Sequence, residues 1–258
     1  STLQVAAADI PAYGETSSFT LRGGTGDSPS FDENNELVDT EAGADSDDKG
    51  KVYQMYDATV TMAIPVARLE VGGIYHEVHA ENDDCMYTKL TLNGAYMDGY
   101  CTGGSVYTTN AFPNSTSLAG DYSFDGTHGK GTQSALRDAI VPAIDFLKTT
   151  SASPAGTYTY NFYANGTNPI FKLYFAEAEG TNVIEPRYAM ITKYYTENEE
   201  GEKVDVTFEN GKIYRILSAE LKDENIIGDE GGNTLYGVEV KVVEATWTIV
   251  DIKADWAE

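Results

Sequence analysis

The feature that most limits what this chain can become is the texture of residues 155–258. Short runs of β-branched and aromatic residues (TYTYNFYANG, PIFKLYFAEAE, RYAMITKYY, KVDVTF, KIYRILSAEL, LYGVEVKVVEATWTIV and DIKADW) alternate there with turn sets such as NG, GTN, ENEEGE, ENG and DEGGN. Val, Ile, Thr, Tyr and Phe suit a pleated, half-buried surface, and short strands at this spacing point to a β-sandwich. Tyrosine is the main aromatic, 18 residues against 9 Phe and 2 Trp, and its amphipathic ring fits sheet faces that are partly exposed. Upstream, KVYQMYDATVTMAIPVARLEVGGIYHEV has two more runs with local alternation, broken at Pro65 and at Gly72-Gly73. An all-β fold is expected.

Three stretches interrupt that pattern. Residues 1–50 and 102–131 are rich in Gly, Ser, Thr, Asp and Asn and read as long exposed segments. In QSALRDAIVPAIDFLKTT, Leu136, Ile140, Ile144 and Leu147 fall at helical spacing with Lys148 near the end. A short helical segment, kinked or divided at Pro142, is expected there. A length of 258 residues suits two ordinary domains or one large β domain; TTSASPAG reads as a linker, so two domains are expected, 1–150 and 151–258.

Asp and Glu number 41 against 17 Lys and Arg, a formal charge of −24. Such a field repels phosphate backbones and anionic lipid surfaces, so nucleic acid is not an expected partner. Ser1, with neither an initiator Met nor a charged-then-apolar leader, is expected to mark a processed or shortened chain. Cys85 and Cys101 flank Asn93-Gly94, a hairpin signal. With Leu92-Asn93-Gly94 as a three-residue loop, 85 falls opposite 101, which predicts a disulfide and an oxidising compartment. Two unrelated thiols in separate strands are the other reading.

No catalytic site is legible. His76-Glu77-Val78-His79 is one residue short of the helical zinc-protease motif. In a strand, residues 76 and 79 point to opposite faces. Both histidines are therefore expected to be solvated, with Glu81, Asp83 or Asp84 as neighbours for at most a fortuitous metal contact; no metal or cofactor is expected. Asp45-Ser46-Asp47-Asp48-Lys49-Gly50 starts like a calcium loop but has Lys49 at the fifth position and Tyr56 at the twelfth, and it reads better as a charged loop. Gly23-Gly24-Thr25-Gly26 lacks the Lys and helix of a phosphate loop, and no Gly-x-Ser-x-Gly elbow occurs. Asn114-Ser115-Thr116 and Asn165-Gly166-Thr167 are acceptor sequons, meaningful only in a eukaryotic secretory pathway.

The end of the chain is the unusual part. In Val250-Asp251-Ile252-Lys253-Ala254-Asp255-Trp256 the apolar residues take every even position and the charges every odd one. Trp247 and Ile249 have the opposite parity, so the face switches near Thr248. Such a strand either packs on its own domain or fills another subunit's groove.

VEVKVVEATWTIVDIKADW is similar to the end of the Bacteroidales major fimbrial subunits (fimbrillins, type V pilins), which close on a Val-rich strand and two tryptophans nine residues apart, here Trp247 and Trp256. IPVARLEVGGI, KIYRILSAEL and PAGTYTYNFYANG with IFKLYF resemble other strands of that family, so the likeness covers about residues 55–80 and 155–258. The resemblance implies two transthyretin-like β-sandwich domains, made as a lipoprotein precursor. In the family an Arg- or Lys-specific protease removes the first strand, and the C-terminal strands of a neighbour fill the groove. Mapped here, Val250, Ile252, Ala254 and Trp256 are the donor knobs, with Trp247 and Ile249 on the preceding strand. The implied partners are copies of the chain, with minor or anchor pilins, in a fimbrium on the bacterial outer membrane that supports adhesion. One departure stands out: only 66 residues precede Ala67-Arg68, fewer than a full N-terminal domain of the family would bring. The alternatives to a pilin are a monomeric surface adhesin or glycan-binding sandwich, and a glycan-active enzyme.

Overall fold

The computed structural model describes residues 19–21, 56–58, 60, 63–79, 85–101, 122–126, 132–180, 183, 186–228 and 237–246. The chain forms two compact units. One, Ala12–Ala63, contains β1 (Phe19–Leu21) and β2 (Tyr56–Ala58), paired antiparallel with Phe19 opposite Ala58.

The other unit takes Ile64–Glu258 together with Ser1–Pro11. Its first strands are β3 (Ala67–Val71), β4 (Ile74–His76), β5 (Tyr87–Asp98), β6 (Tyr122–Ser123), β7 (Thr132–Gln133) and β8 (Arg137–Asp145). Then come β9 (Tyr158–Phe162), β10 (Ile170–Gly180), β11 (Arg187–Glu197), β12 (Lys203–Asp205) and β13 (Lys212–Ile216). The last are β14 (Ala219–Leu221), β15 (Ile226–Ile227), β16 (Val238–Lys241) and β17 (Val243–Thr246). Among the described residues there is no α-helix, and no helix able to cross a membrane. The fold is all-β.

Two sheets enclose one core. The larger runs β12-β11-β10-β5-β8, with β15 and β16 also paired to β11; the smaller runs β17-β13-β3-β9. Period-two alternation sorts the side chains: in β3, Ala67, Leu69 and Val71 are buried, while Arg68 and Glu70 face outward. Between the sheets, the Tyr160 ring packs 5.9 Å from Phe171, and its hydroxyl donates toward Ala95 O (3.2 Å) and Asp138 Oδ2 (2.8 Å). Phe208 lies between Tyr194 and Tyr214, at 4.6 and 4.3 Å. On the outer face of the large sheet, Tyr96, Tyr174 and Tyr188 form a second cluster, with Phe124 stacked on Tyr174 at 4.9 Å. The middle strands β5 and β10 are therefore covered on both faces.

The expected helix, hairpin turn, disulfide and single strand are not found here. Residues 136–147 are not helical: they form β8 and the start of a 3-10 turn at Phe146–Lys148. A spacing of four satisfies a strand as well as a helix: Leu136, just before β8, belongs to the core, and Ile140 and Ile144 within β8 pack against it. Pro142 is tolerated because β8 is the outer strand of its sheet and its register slips between Ala139 and Ile144.

Asn93-Gly94 is not a hairpin turn but the middle of the twelve-residue strand β5. Opposite it, Tyr174 pairs with Gly94 and Phe175 with Leu92, so Asn93 is bulged out and its Oδ1 accepts the Ala176 N–H at 3.0 Å. A Cβ on Gly94 would lie 2.1 Å from the Phe124 ring, so the glycine makes room for an aromatic cover rather than for a turn. At about 3.3 Å per residue, Cys85 and Cys101 then stand beyond opposite ends of a strand on the order of 35 Å long. The expected Cys85–Cys101 disulfide is absent; both are thiols.

The boundary expected near 151 falls inside one unit, because both sheets take strands from either side of it. The linker-like stretch is tied to β4: His76 N–H donates to Thr149 O at 3.3 Å, and Ala155 N–H to Ile74 O at 2.8 Å. KIYRILSAEL, read as one strand, is two. β13 pairs with β3 and β14 with β4, both in parallel.

Candidate functional site

The parallel ribbon of β4 and β14 builds the most concentrated chemistry among the described residues. Its register sets His76 across from Leu221, and Asp223 follows two residues later at the start of a 3-10 turn, Asp223–Asn225. The strand ends at His76, so the next residues leave the sheet and His79 comes back over His76, with ring centroids 5.5 Å apart. This corrects the expectation of two solvated histidines on opposite faces: His76 is 2% exposed and His79 only partly exposed. Cys85 arrives from the other direction, two residues before β5 begins.

Asp223 is the hub. Its Oδ1 lies 2.9 Å from His76 Nε2 and 3.9 Å from Cys85 Sγ. Its Oδ2 accepts the Met86 N–H at 2.5 Å and lies 3.6 Å from His79 Nε2. The Asp223 backbone N–H is held by Glu77 Oε1 at 2.8 Å, and Phe146 meets the His76 ring edge-on at 5.9 Å. One ligand atom from each of His76, His79, Cys85 and Asp223 lies within 4.8 Å of all the others. His79 Nε2 is buried and has no hydrogen-bond partner.

Burial pushes the Cys85 thiol above its ordinary pKa; a hydrogen bond from the Tyr87 backbone opposes this, and the Asp223 and Glu77 carboxylates push the same way as burial. A thiol whose pKa is raised by burial and by neighbouring carboxylates lacks the electropositive setting that activates a cysteine nucleophile. Its donors, two imidazoles, one thiol and one carboxylate, are those of a borderline metal. The sequence signal was present in His-x-x-His followed by Cys, but Asp223 enters only through the fold. Of the acidic residues first named beside the histidines, Glu81, Asp83 and Asp84 lie outside the described residues.

The residues expected to serve in assembly, Trp247, Ile249, Val250, Ile252, Ala254 and Trp256, also lie outside them. What is described is the strand that leads there. β16 pairs with β11 in the large sheet, Val242 is fully buried at the crossing, and β17 then pairs with β13 in the small one. β17 is the outer strand of that sheet.

No protein-family model matches the chain, and no curated protein sequence matches it. Among solved structures it is similar to a candidate cell adhesion protein from Parabacteroides distasonis, with 14% identity over 76% of this chain and 63% of that chain, TM-score 0.40. A second, from Bacteroides eggerthii, shows 21% identity over 74% of this chain and 58% of that one, TM-score 0.40. Another from Parabacteroides distasonis shows 9% identity over 71% and 52%, TM-score 0.39. The chain spans less than two thirds of the length of each of these structures.

Proposed function

We propose that this chain is a non-enzymatic cell-surface adhesion subunit of the fimbrillin type, which joins copies of itself by exchanging C-terminal strands. The observation that carries the reading is the position of β17. The last described strand lies at the rim of the small sheet, paired only with β13 among the described strands. The residues that follow are those whose sequence alternates apolar and charged up to Trp256. A strand leaving a sheet edge with one greasy face can add to an open edge of a neighbour, where ladder hydrogen bonds give affinity and alternate side chains give specificity. In this reading Val250, Ile252, Ala254 and Trp256 enter the neighbour, while Trp247 and Ile249 anchor the strand before it. The protein's place is a fimbrium on the bacterial outer membrane.

The test compares the full chain with one lacking residues 248–258, by electron microscopy and by an unboiled denaturing gel. The full chain should give filaments and a ladder, and the shortened chain a folded monomer. Trp256→Ala should weaken the ladder, since truncating a buried Trp costs about 3–5 kcal/mol, whereas charge reversal at Lys253 should change it little. A shortened chain that polymerises normally refutes strand exchange through this end. Monomers at both lengths would favour the monomeric adhesin.

A further inference from the structure

We propose that His76, His79, Cys85 and Asp223 form a closed tetrahedral site for a borderline divalent cation of the zinc class. Three observations carry this. The donor set is N, N, S and O, which suits zinc; calcium and magnesium need six or more oxygens, and this cluster offers one carboxylate. The spacing is also right. Bonds of about 2.0–2.3 Å give a tetrahedron with edges of about 3.3–3.8 Å; one ligand atom from each of the four residues lies within 4.8 Å of the others, with His76 Nε2 and Cys85 Sγ at 2.9 and 3.9 Å from Asp223 Oδ1 and His79 Nε2 at 3.6 Å from Asp223 Oδ2. Closing the widest separations by no more than about 1 Å would seat the ion.

The third observation is what a hydrogen-bonded cluster alone leaves unexplained. His76 and Asp223 satisfy one another, but His79 Nε2 is buried toward the group with no hydrogen bond. Cys85 Sγ approaches Asp223 only at 3.9 Å, at the limit for a weak sulfur donor. A cation gives both a bond. Four protein donors fill the coordination sphere, which marks a structural rather than a catalytic site. The ion would fasten the end of β4 and the entry to β5 to the turn after β14, far along the chain. Glu77, which holds the Asp223 backbone in place, is a positioning residue for the hub ligand. This inference does not rest on strand exchange, and either can fail alone.

The test uses the full chain, free of any affinity tag, stripped with a chelator and titrated with Co²⁺. One equivalent should produce the intense visible bands of tetrahedral cobalt and a near-ultraviolet thiolate-to-cobalt band, and Zn²⁺ should erase both. Cys85→Ser should remove the thiolate band, while Cys101→Ser should leave it. His79→Ala should weaken Zn²⁺ binding at least about 100-fold, beyond the 10–100-fold typical of outer-shell losses. Zn²⁺ should raise the melting temperature of the parent chain but not of His79→Ala. Residues 79 and 85 are chosen because both are partly exposed, and circular dichroism verifies that each variant folds. Absence of the cobalt spectrum, a thiolate band that follows Cys101 instead, or binding unchanged in Cys85→Ser and His79→Ala overturns the proposal.

Discussion

The two ends of β5 bury polar groups on different terms. At the far end, Lys172 Nζ lies 2.6 Å from Asp98 Oδ2, and Asp98 Oδ1 accepts the N–H groups of Gly99 and Tyr122 at 2.8 and 2.7 Å. Lys172 and Asp98 are 2% and 5% exposed, so a buried charge has met its opposite inside the chain and the carboxylate is fully engaged. At the near end, Asp223 is engaged by Met86 and His76, yet a ring nitrogen and a thiol of the same cluster remain poorly served. One end of the strand is complete in itself, and the other is complete only with a guest. The difference lies in the countercharge: Lys172 supplies it from the neighbouring strand, whereas no lysine or arginine ion pair to Asp223 occurs among the described residues.

The harshest way to stress both ends acts on the tyrosines of the core they share, on β9 and β11. Burial raises the Tyr158 hydroxyl to about 12, with the Asp138 carboxylate adding to the shift. Burial also raises Tyr160 and Tyr194, Tyr160 with help from Asp138 and Tyr194 against a backbone hydrogen bond from Phe171. Raised folded values mean that the stability these groups contribute is fully present below pH about 10 and is lost as pH climbs through the folded values. The chain should therefore unfold cooperatively in alkali above that point, with tyrosinate absorbance and loss of the β-sheet circular dichroism appearing together. Tyrosinate forming in a still-folded chain would show that the interior tolerates charge.

The next effect separates the two ends. Lys172→Met leaves Asp98 buried with its charge unmatched and should cost about 3–5 kcal/mol in urea unfolding, while the double change with Asp98→Asn, which removes the charge but keeps the acceptor for the Gly99 and Tyr122 N–H groups, should recover most of it. At the other end, the metal-free protein should behave more gently. Asp223→Ala strands the Met86 N–H and His76 and should cost about 1–3 kcal/mol, but His79→Ala, which breaks no hydrogen bond, should stay within about 0.5–1 kcal/mol. If Lys172→Met proves as mild as His79→Ala, the comparison between a closed and an open site fails.

The sequence made the β class legible because β3 and β9 alternate apolar and polar residues as a sheet with one buried face requires, while β10 and β11 carry the nearly continuous apolar runs of strands covered on both faces. It misled where one signal serves two structures. A four-residue spacing fits the inward face of β8 as well as a helix. Asn93-Gly94 serves a bulge and an aromatic contact as well as a turn, and which one holds depends on Phe124 and Ala176, far along the chain. The candidate site was half visible. His76, His79 and Cys85 lie within ten residues of one another, but the fourth member, Asp223, is brought in by a parallel pairing that no local pattern encodes.

Those parallel pairings have a bearing on time. β3 is flanked by β9 on one side and β13 on the other, and the Glu70–Arg215 contact across the second seam spans 145 residues. Folding slows when its decisive contacts are distant in sequence, and here a central strand of one sheet waits for a partner that begins at Lys212 of 258 residues. Until Lys212 is available, β3 has one bare edge, and a bare edge is an invitation to another copy. A chain of this topology is most exposed to wrong pairing during its own synthesis, after its early strands exist and before the late ones arrive to cover them.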